Sequence, residues 1–211
     1  GLGKVEPEKL MISRLTAIIG DAEHSIDLLS AYFIPGDAGT DILTAAAQSG
    51  VRVRTLTNSL EATDVLPVHA GYTKYRTPLL DAGVEVYEMR KAPGQASRKE
   101  LGFLGSSAAS LHAKTFVLDG DRVFVGSFNF DPRSAFLNCE MGFLVHSKAL
   151  ATHMTLRFDT GLGTVAWQVT KGGDGRLEWR SREDDGVSVS LTTEPGTSAT
   201  KRWALWVIGL L

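Results

Sequence analysis

Over its first 90 residues the chain switches between helical and extended apolar patterns three times, and no other feature narrows its fold as much. Residues 8–23 place Leu10, Leu15, Ile18 and Ile19 at helical spacing. Residues 25–34 form an apolar, strand-like run stopped by Pro35 and Gly36. Residues 40–49 are helical and end at Gly50, and residues 51–57 alternate as a strand does. Residues 69–82 are helical again, with Thr77 capping a turn that opens on Pro78, and residues 84–89 are extended. Such alternation predicts an α/β fold: a mixed, largely parallel β-sheet flanked by helices.

The pattern changes after residue 90. Residues 91–110 are rich in Gly, Ser and basic residues and read as a loop at a functional site. Two extended runs follow, 111–118 and 122–130, joined by Asp119-Gly120-Asp121. A D-G pair between apolar runs is a strong hairpin signal. Residues 138–146 read as a strand, Ser147 as the cap of a helix, 165–182 as a hairpin turning at Gly-Gly-Asp-Gly, and 187–193 as another strand. The division expected is a half-domain over 1–165 and a C-terminal hairpin with a basic-apolar tail over 166–211.

Composition removes several function classes. With 22 basic against 24 acidic residues, the chain lacks the excess of positive charge that nucleic-acid binding leans on. The single cysteine, Cys139, permits no internal disulfide and reads as a small core residue. None of the five histidines has metal-ligand spacing, so neither a metal nor another cofactor is expected. The longest apolar run, Trp203 to Leu211, is too short to cross a bilayer, which takes about 20 residues. The preceding Lys201-Arg202 makes the tail a candidate anchor on a membrane surface. The chain starts at Gly1 and stops inside that run, so it reads as a piece of a longer protein.

The chemistry is concentrated in one stretch of the form H-x-K-x4-D-x6-G-S-x-N: His112, Lys114, Asp119, Gly126, Ser127 and Asn129. On a strand of period two His112 and Lys114 share a face, and so do Ser127 and Asn129 on the next. A hairpin through Asp119-Gly120 would bring the imidazole, ammonium and carboxamide to one point. That set suits a phosphodiester: the ammonium supplies charge, the carboxamide hydrogen bonds, and the imidazole a nucleophile or proton shuttle. Glu140 sits in an apolar strand, where a carboxylate is costly unless paired.

This motif resembles the signature of the phospholipase D superfamily. Residues 30–43 (SAYFIPGDAGTDIL), 51–88 and 126–145 (GSFNFDPRSAFLNCEMGFLV) are similar to the second half of bacterial cardiolipin synthase-type members. The resemblance implies a phosphatidyltransferase whose active site is built from two such motifs. One histidine attacks phosphorus to give a phosphohistidine. The other protonates the leaving alcohol and then activates the acceptor, and the lysine and asparagine pairs hold the phosphate oxygens. By resemblance, Glu140 orients the catalytic His112, Asp119 is structural before it is catalytic, and His69 and Tyr72 join Ser127 as substrate-binding residues. The implied partners are a phospholipid substrate, a membrane surface and a second H-x-K-x4-D half, with no nucleic acid. The implied location is peripheral to the inner membrane of a bacterial envelope.

Residues 1–110 contain no second H-x-K: His24 precedes Ser25-Ile26 and His69 precedes Ala70-Gly71. The missing half therefore belongs to the same longer protein or to an identical chain. Two other readings remain at this stage. One is a metal-independent phosphodiesterase or nuclease acting as a homodimer. The other is a half-site fragment that binds lipid without turning it over.

Overall fold

Three parallel strands set the frame of the computed structural model, which describes residues 11–91, 106–107, 110–183, 185–198 and 200. They are β1 (Ser25–Ser30), β2 (Arg52–Asn58) and β3 (Glu85–Met89). β1 pairs with β2 and β2 with β3. Helix α1 (Met11–Gly20) precedes them, and α2 (Gly36–Gln48) makes the first crossover. The second crossover is split into α3 (Leu66–Thr73) and α4 (Arg76–Asp81). The predicted single helix over 69–82 thus breaks at Lys74-Tyr75, ahead of Thr77. Pro78 falls in the first turn of α4, where a missing N–H leaves no helical bond unmade.

The C-terminal half adds strands on both sides of this frame. β6 (Lys114–Leu118) lies antiparallel to β1, and β7 (Arg122–Gly126) and β8 (Gly142–His146) extend that side. On the other side β9 (Ala166–Lys171) lies antiparallel to β3, followed by β10 (Leu177–Arg182) and β11 (Ser188–Leu191). The nine-stranded order is β11-β10-β9-β3-β2-β1-β6-β7-β8, with β4 (Ser106–Ser107) and β5 (Ser110–Leu111) in a separate small ladder. Among the described residues the C-terminal half also carries the short helix α5 (Pro132–Phe136) and the 18-residue helix α6 (Lys148–Val165). The sheet is mixed, as expected. Among these nine strands the parallel pairing is confined to β1, β2 and β3. Short hairpins make the β6–β7, β9–β10 and β10–β11 pairs antiparallel, and β1–β6 and β3–β9 pair antiparallel across long connections. Residues 166–191 continue this same sheet, so the expected division at 165 separates no layer of the structure. The 92–105 part of the expected loop and the tail 201–211 lie outside the described residues.

The hairpin turns as its sequence requires. Asp119 (φ 53°) and Gly120 (φ 68°) both have positive φ, a conformation that Asp tolerates and Gly adopts freely. The Asp119 carboxylate accepts backbone N–H bonds from His24 (2.7 Å), Ser25 (3.0 Å) and Glu23 (3.1 Å), and a charged bond from Arg122 (2.5 Å). Burial pushes its pKa up, but those donors outweigh burial and hold it below the ordinary value. It therefore clamps the entry to β1 onto the hairpin.

Two buried ionic groups tie the layers together. Asp27 on β1 accepts two bonds from Arg54 on β2 (2.6 and 2.9 Å) and one from Thr155 on α6 (3.1 Å). Glu88 on β3, fully buried, accepts from Tyr72 (3.0 Å), Arg76 (2.7 Å) and Trp179 (2.9 Å). Arg76 also bonds Glu194, whose carboxylate meets His69 Nε2 at 2.7 Å. Glu194 thereby fastens the segment after β11 to α3. Burial raises its pKa, yet the bonds from His69 and Arg76 bring it down to about 2.

Two outcomes follow. Asp119→Ala should lower unfolding free energy by about 2–3 kcal/mol in urea titrations, since it strands several backbone donors at once. Glu194 has a folded pKa depressed from 4.5 to about 2, so its contribution is present above pH 4.5 and is lost as pH falls through about 2. Glu194→Gln should be less stable than the unsubstituted chain at pH 6, by something on the order of 3 kcal/mol, and the gap should close in acid.

Candidate active site

The site is assembled where β1 ends, because backbone and side-chain groups there hold both segments of the motif. Ala31 N donates to Ala113 O at 3.1 Å. Ser30 Oγ accepts from Phe130 N at 3.1 Å and donates to Tyr32 O at 2.6 Å. Asn58, the last residue of β2, spans the gap: its Oδ1 accepts from Leu111 N (2.8 Å), and its Nδ2 donates to Leu111 O (3.2 Å) and Ala31 O (3.1 Å). The residues on either side of His112 are therefore both pinned. Sequence reasoning missed Ser30 and Asn58. The available signal was a polar residue closing each of two apolar strand runs, positions that turn out to be fully or almost fully buried.

The expected strand 111–118 is interrupted. His112 and Ala113 stand outside regular pairing, between β5 and β6. His112 is exposed, and Lys114 is half-buried with its Nζ donating to His112 O at 3.0 Å. Both border one cavity of about 290 Å³, walled by Leu29 and Val117 of the sheet, Gly126 at the end of β7, and Met154 and Phe158 of α6. A Cβ on Gly126 would meet Met141 O at 2.6 Å, so only glycine lets β7 and β8 close up beside that cavity. Burial lowers the Lys114 pKa, opposed by the carboxylates of Glu140, Asp131 and Asp64.

The second half of the motif departs from the period-two expectation. β7 ends at Gly126 and the chain then turns, so Ser127 is exposed while Asn129 is 8% exposed. Asn129 N donates to Ser134 Oγ at 3.2 Å, and its Oδ1 is buried without a partner among the described residues. Such a carboxamide is costly until satisfied, and it can present its NH₂ end by rotation. Asn129 does not border the cavity that His112 and Lys114 share.

Glu140 is held by Ser127 Oγ and by Asn138 Nδ2 (3.1 Å). Among the described residues no hydrogen bond joins it to His112. Burial raises its pKa, but the Ser127, Asn138 and Ser134 bonds and the Lys114 charge outweigh burial and lower it. Asp119 lies at the opposite end of β6 from Lys114, about 16 Å away at the rise of a strand, and grips the α1–β1 connection instead of the cavity. His69 and Tyr72 are buried and engaged by Glu194 and Glu88, so neither reaches the cavity; their helix turns those side chains inward to satisfy buried charge. Cys139 is exposed, not a core residue, because β8 starts only at Gly142.

The sequence family described as "Cardiolipin synthase, PLD-like domain" matches residues 15–161. Cardiolipin synthase C of Escherichia coli (strain K12) is 45% identical over 203 residues, covering 96% of this chain and 43% of that protein. Cardiolipin synthase 2 of Bacillus anthracis is 36% identical over 125 residues, covering 59% of this chain and 21% of that protein. The chain thus spans less than half the length of these relatives. Among solved structures, the fold is similar to a phospholipase D family member, Nuc, from Salmonella typhimurium (TM-score 0.55, 20% identity, 73% of this chain and 88% of that chain). It is also similar to phosphatidylserine synthase from Haemophilus influenzae Rd KW20 (TM-score 0.55, 14% identity, 73% and 36%).

Removing the Glu140 charge takes away one of the groups that favour the ammonium form of Lys114. Glu140→Gln should move the Lys114 titration to lower pH, read by NMR of the labelled ε-methylene. An unchanged titration would show that the two charges do not communicate.

Proposed function

Because the chain belongs to the cardiolipin synthase, PLD-like domain family, we propose that it is one catalytic half of a phosphatidyltransferase. The reaction moves a phosphatidyl group from one phospholipid to the glycerol hydroxyl of phosphatidylglycerol. The single observation that carries this reading is an exposed imidazole and a desolvated ammonium bordering one cavity, in a chain 45% identical to a cardiolipin synthase.

The chemistry proceeds in two displacements. The lone pair of one histidine attacks phosphorus, the P–O bond to the departing alcohol breaks, and a phosphohistidine forms. The histidine of the second half gives its proton to that departing oxygen. It then takes a proton from the acceptor hydroxyl, whose oxygen attacks phosphorus and releases the first histidine. His112 fills one of these two roles. The Lys114 ammonium stabilises the phosphoryl oxygens where charge builds, and its partial burial strengthens that effect. The Asn129 carboxamide adds a neutral donor once turned toward the phosphate. Water in place of the acceptor gives hydrolysis.

The second half is the partner this reading requires. In support, Phe136 and Leu137 (68% and 77% exposed), Met141 and Phe143 are large apolar residues left exposed on either side of Glu140 in the chain. No helix among the described residues is long and apolar enough to cross a membrane, and association with the bilayer surface suits the lipid substrate.

The test is His112→Ala in the full-length protein, assayed for cardiolipin formed from phosphatidylglycerol by mass spectrometry. Product formation should fall about a thousandfold or more. Retained synthesis would overturn the assignment. Cleavage of plasmid DNA in the presence of a chelator, with no lipid turnover, would favour a nuclease.

A further inference from the structure

A second cavity, on the opposite face of the sheet from the His112 pocket, opens at the same end of the strands. Its volume is about 260 Å³. Ile19 of α1 and Leu43 of α2 form part of the lining, with Ile12 and Thr16 nearer the start of α1. The other wall is Phe128 and Phe130, the two residues that flank Asn129. The cavity therefore shares a wall with the motif. Ile34–Gly39, which follows the C-terminal end of β1, and Pro132, Ala135 and Phe136, which follow the end of β7, also line it.

Its chemistry excludes most ligands. Among the described residues the charged side chains lining it are Asp37 and Asp131, which disfavour an anionic headgroup or phosphate. It is smaller than the roughly 300–1,000 Å³ of ordinary small-molecule sites, and too small for a whole phospholipid. At about 30 Å³ per water-sized unit it holds some eight or nine such units, the bulk of one short stretch of hydrocarbon. The Asp131 Oδ1 accepts from Ser134 N at 2.9 Å, which ties this carboxylate to the cap of α5.

We propose that this cavity receives one acyl chain of the phospholipid whose phosphodiester reacts at His112. The inference rests on the phosphatidyltransferase reading and deepens it. A chain seated between α1 and the 128–136 segment would fix how the lipid enters. Substrate selection would then include tail length, read by the same segment that reads the phosphate.

The test uses the full-length enzyme and two substrates: a phosphatidylglycerol series from dibutanoyl to dioctanoyl, and bis(p-nitrophenyl) phosphate, which has no tail. In the unsubstituted enzyme KM should fall as the chains lengthen, by up to about fourfold per methylene buried. Thr16→Phe and Ala135→Phe fill the cavity from opposite walls. Each should flatten that dependence and raise KM for the dioctanoyl lipid about tenfold, while bis(p-nitrophenyl) phosphate turnover stays unchanged. An undiminished chain-length dependence in both variants would overturn the proposal, and so would equal slowing of both substrates. A phosphatidylglycerol carrying a diazirine in its acyl chain gives a readout on the unsubstituted enzyme. Labelling within residues 12–19, 34–43 or 128–136 is expected, and labelling confined elsewhere, including a second protein half or the segment before residue 11, would overturn it. Failure of the phosphatidyltransferase reading looks different: the unsubstituted enzyme would turn over the tail-free diester and make no cardiolipin.

Discussion

One carboxamide holds the reactive segment in place. Asn58 closes β2 and then uses its side chain as a further stretch of strand, with an acceptor and a donor both turned to Leu111 and a second bond to Ala31. That arrangement lets the backbone leave regular pairing at His112 without stranding its neighbours' polar groups. An apolar residue at 58 would leave Leu111 N and O buried and unmatched, a state worth avoiding at roughly 1–3 kcal/mol per group. The exposed imidazole is thus a consequence of bonds made one residue to either side, to Asn58 at 111 and to Ala31 at 113.

Cations are divided between fold and chemistry by type. Arg54, Arg76 and Arg122 each meet carboxylates within the fold, joining β1 to β2, α4 to β3, and the hairpin to itself. The planar guanidinium suits this work because its several fixed donors satisfy both oxygens of a buried acid. Lys114 has no such fork. Its compact ammonium bonds the His112 carbonyl and feels Glu140 through its charge, so it is not locked in a guanidinium-like fork. The near-zero net charge of the whole chain, 22 basic against 24 acidic residues, gives little hint of the local cation at the cavity.

The sequence pattern made the layered fold legible because apolar periodicity reports burial directly. The β1, β2 and β3 runs, the Asp119-Gly120 turn and the Ser147 cap all depend on near neighbours, and the structure has each. What stayed hidden depends on groups far apart in the chain. The interruption at His112 needs Asn58, 54 positions away. The inward turn of His69 and Tyr72 needs Glu194 and Glu88, and the clamp at Asp119 needs backbone donors some 95 residues earlier. Period two also failed at Ser127 and Asn129 because β7 stops at Gly126, where β7 and β8 close over Phe124 and the Ser134–Asp131 cap draws the chain aside. Local rules cannot see a strand end that is set by a neighbour's packing.

The edge at which β7 stops is packed on one face and open on the other. The core beneath it is finished: Phe116 stacks on Phe124 at 4.7 Å, and Phe128 and Phe130 pack edge to face. The outer face of β7 and β8 is not, since Val125, Phe143 and Val145 remain exposed next to Met141. Covering that face would remove apolar area from water and would also strip solvent from Glu140 and Lys114, which sit at its margin. Desolvation favours the neutral ammonium, while the nearby carboxylates favour the charged one, so the balance at Lys114 depends on what covers the edge. Packing and electrostatics are thereby linked through one surface: whatever removes water from this edge also shifts the balance of charge at Lys114.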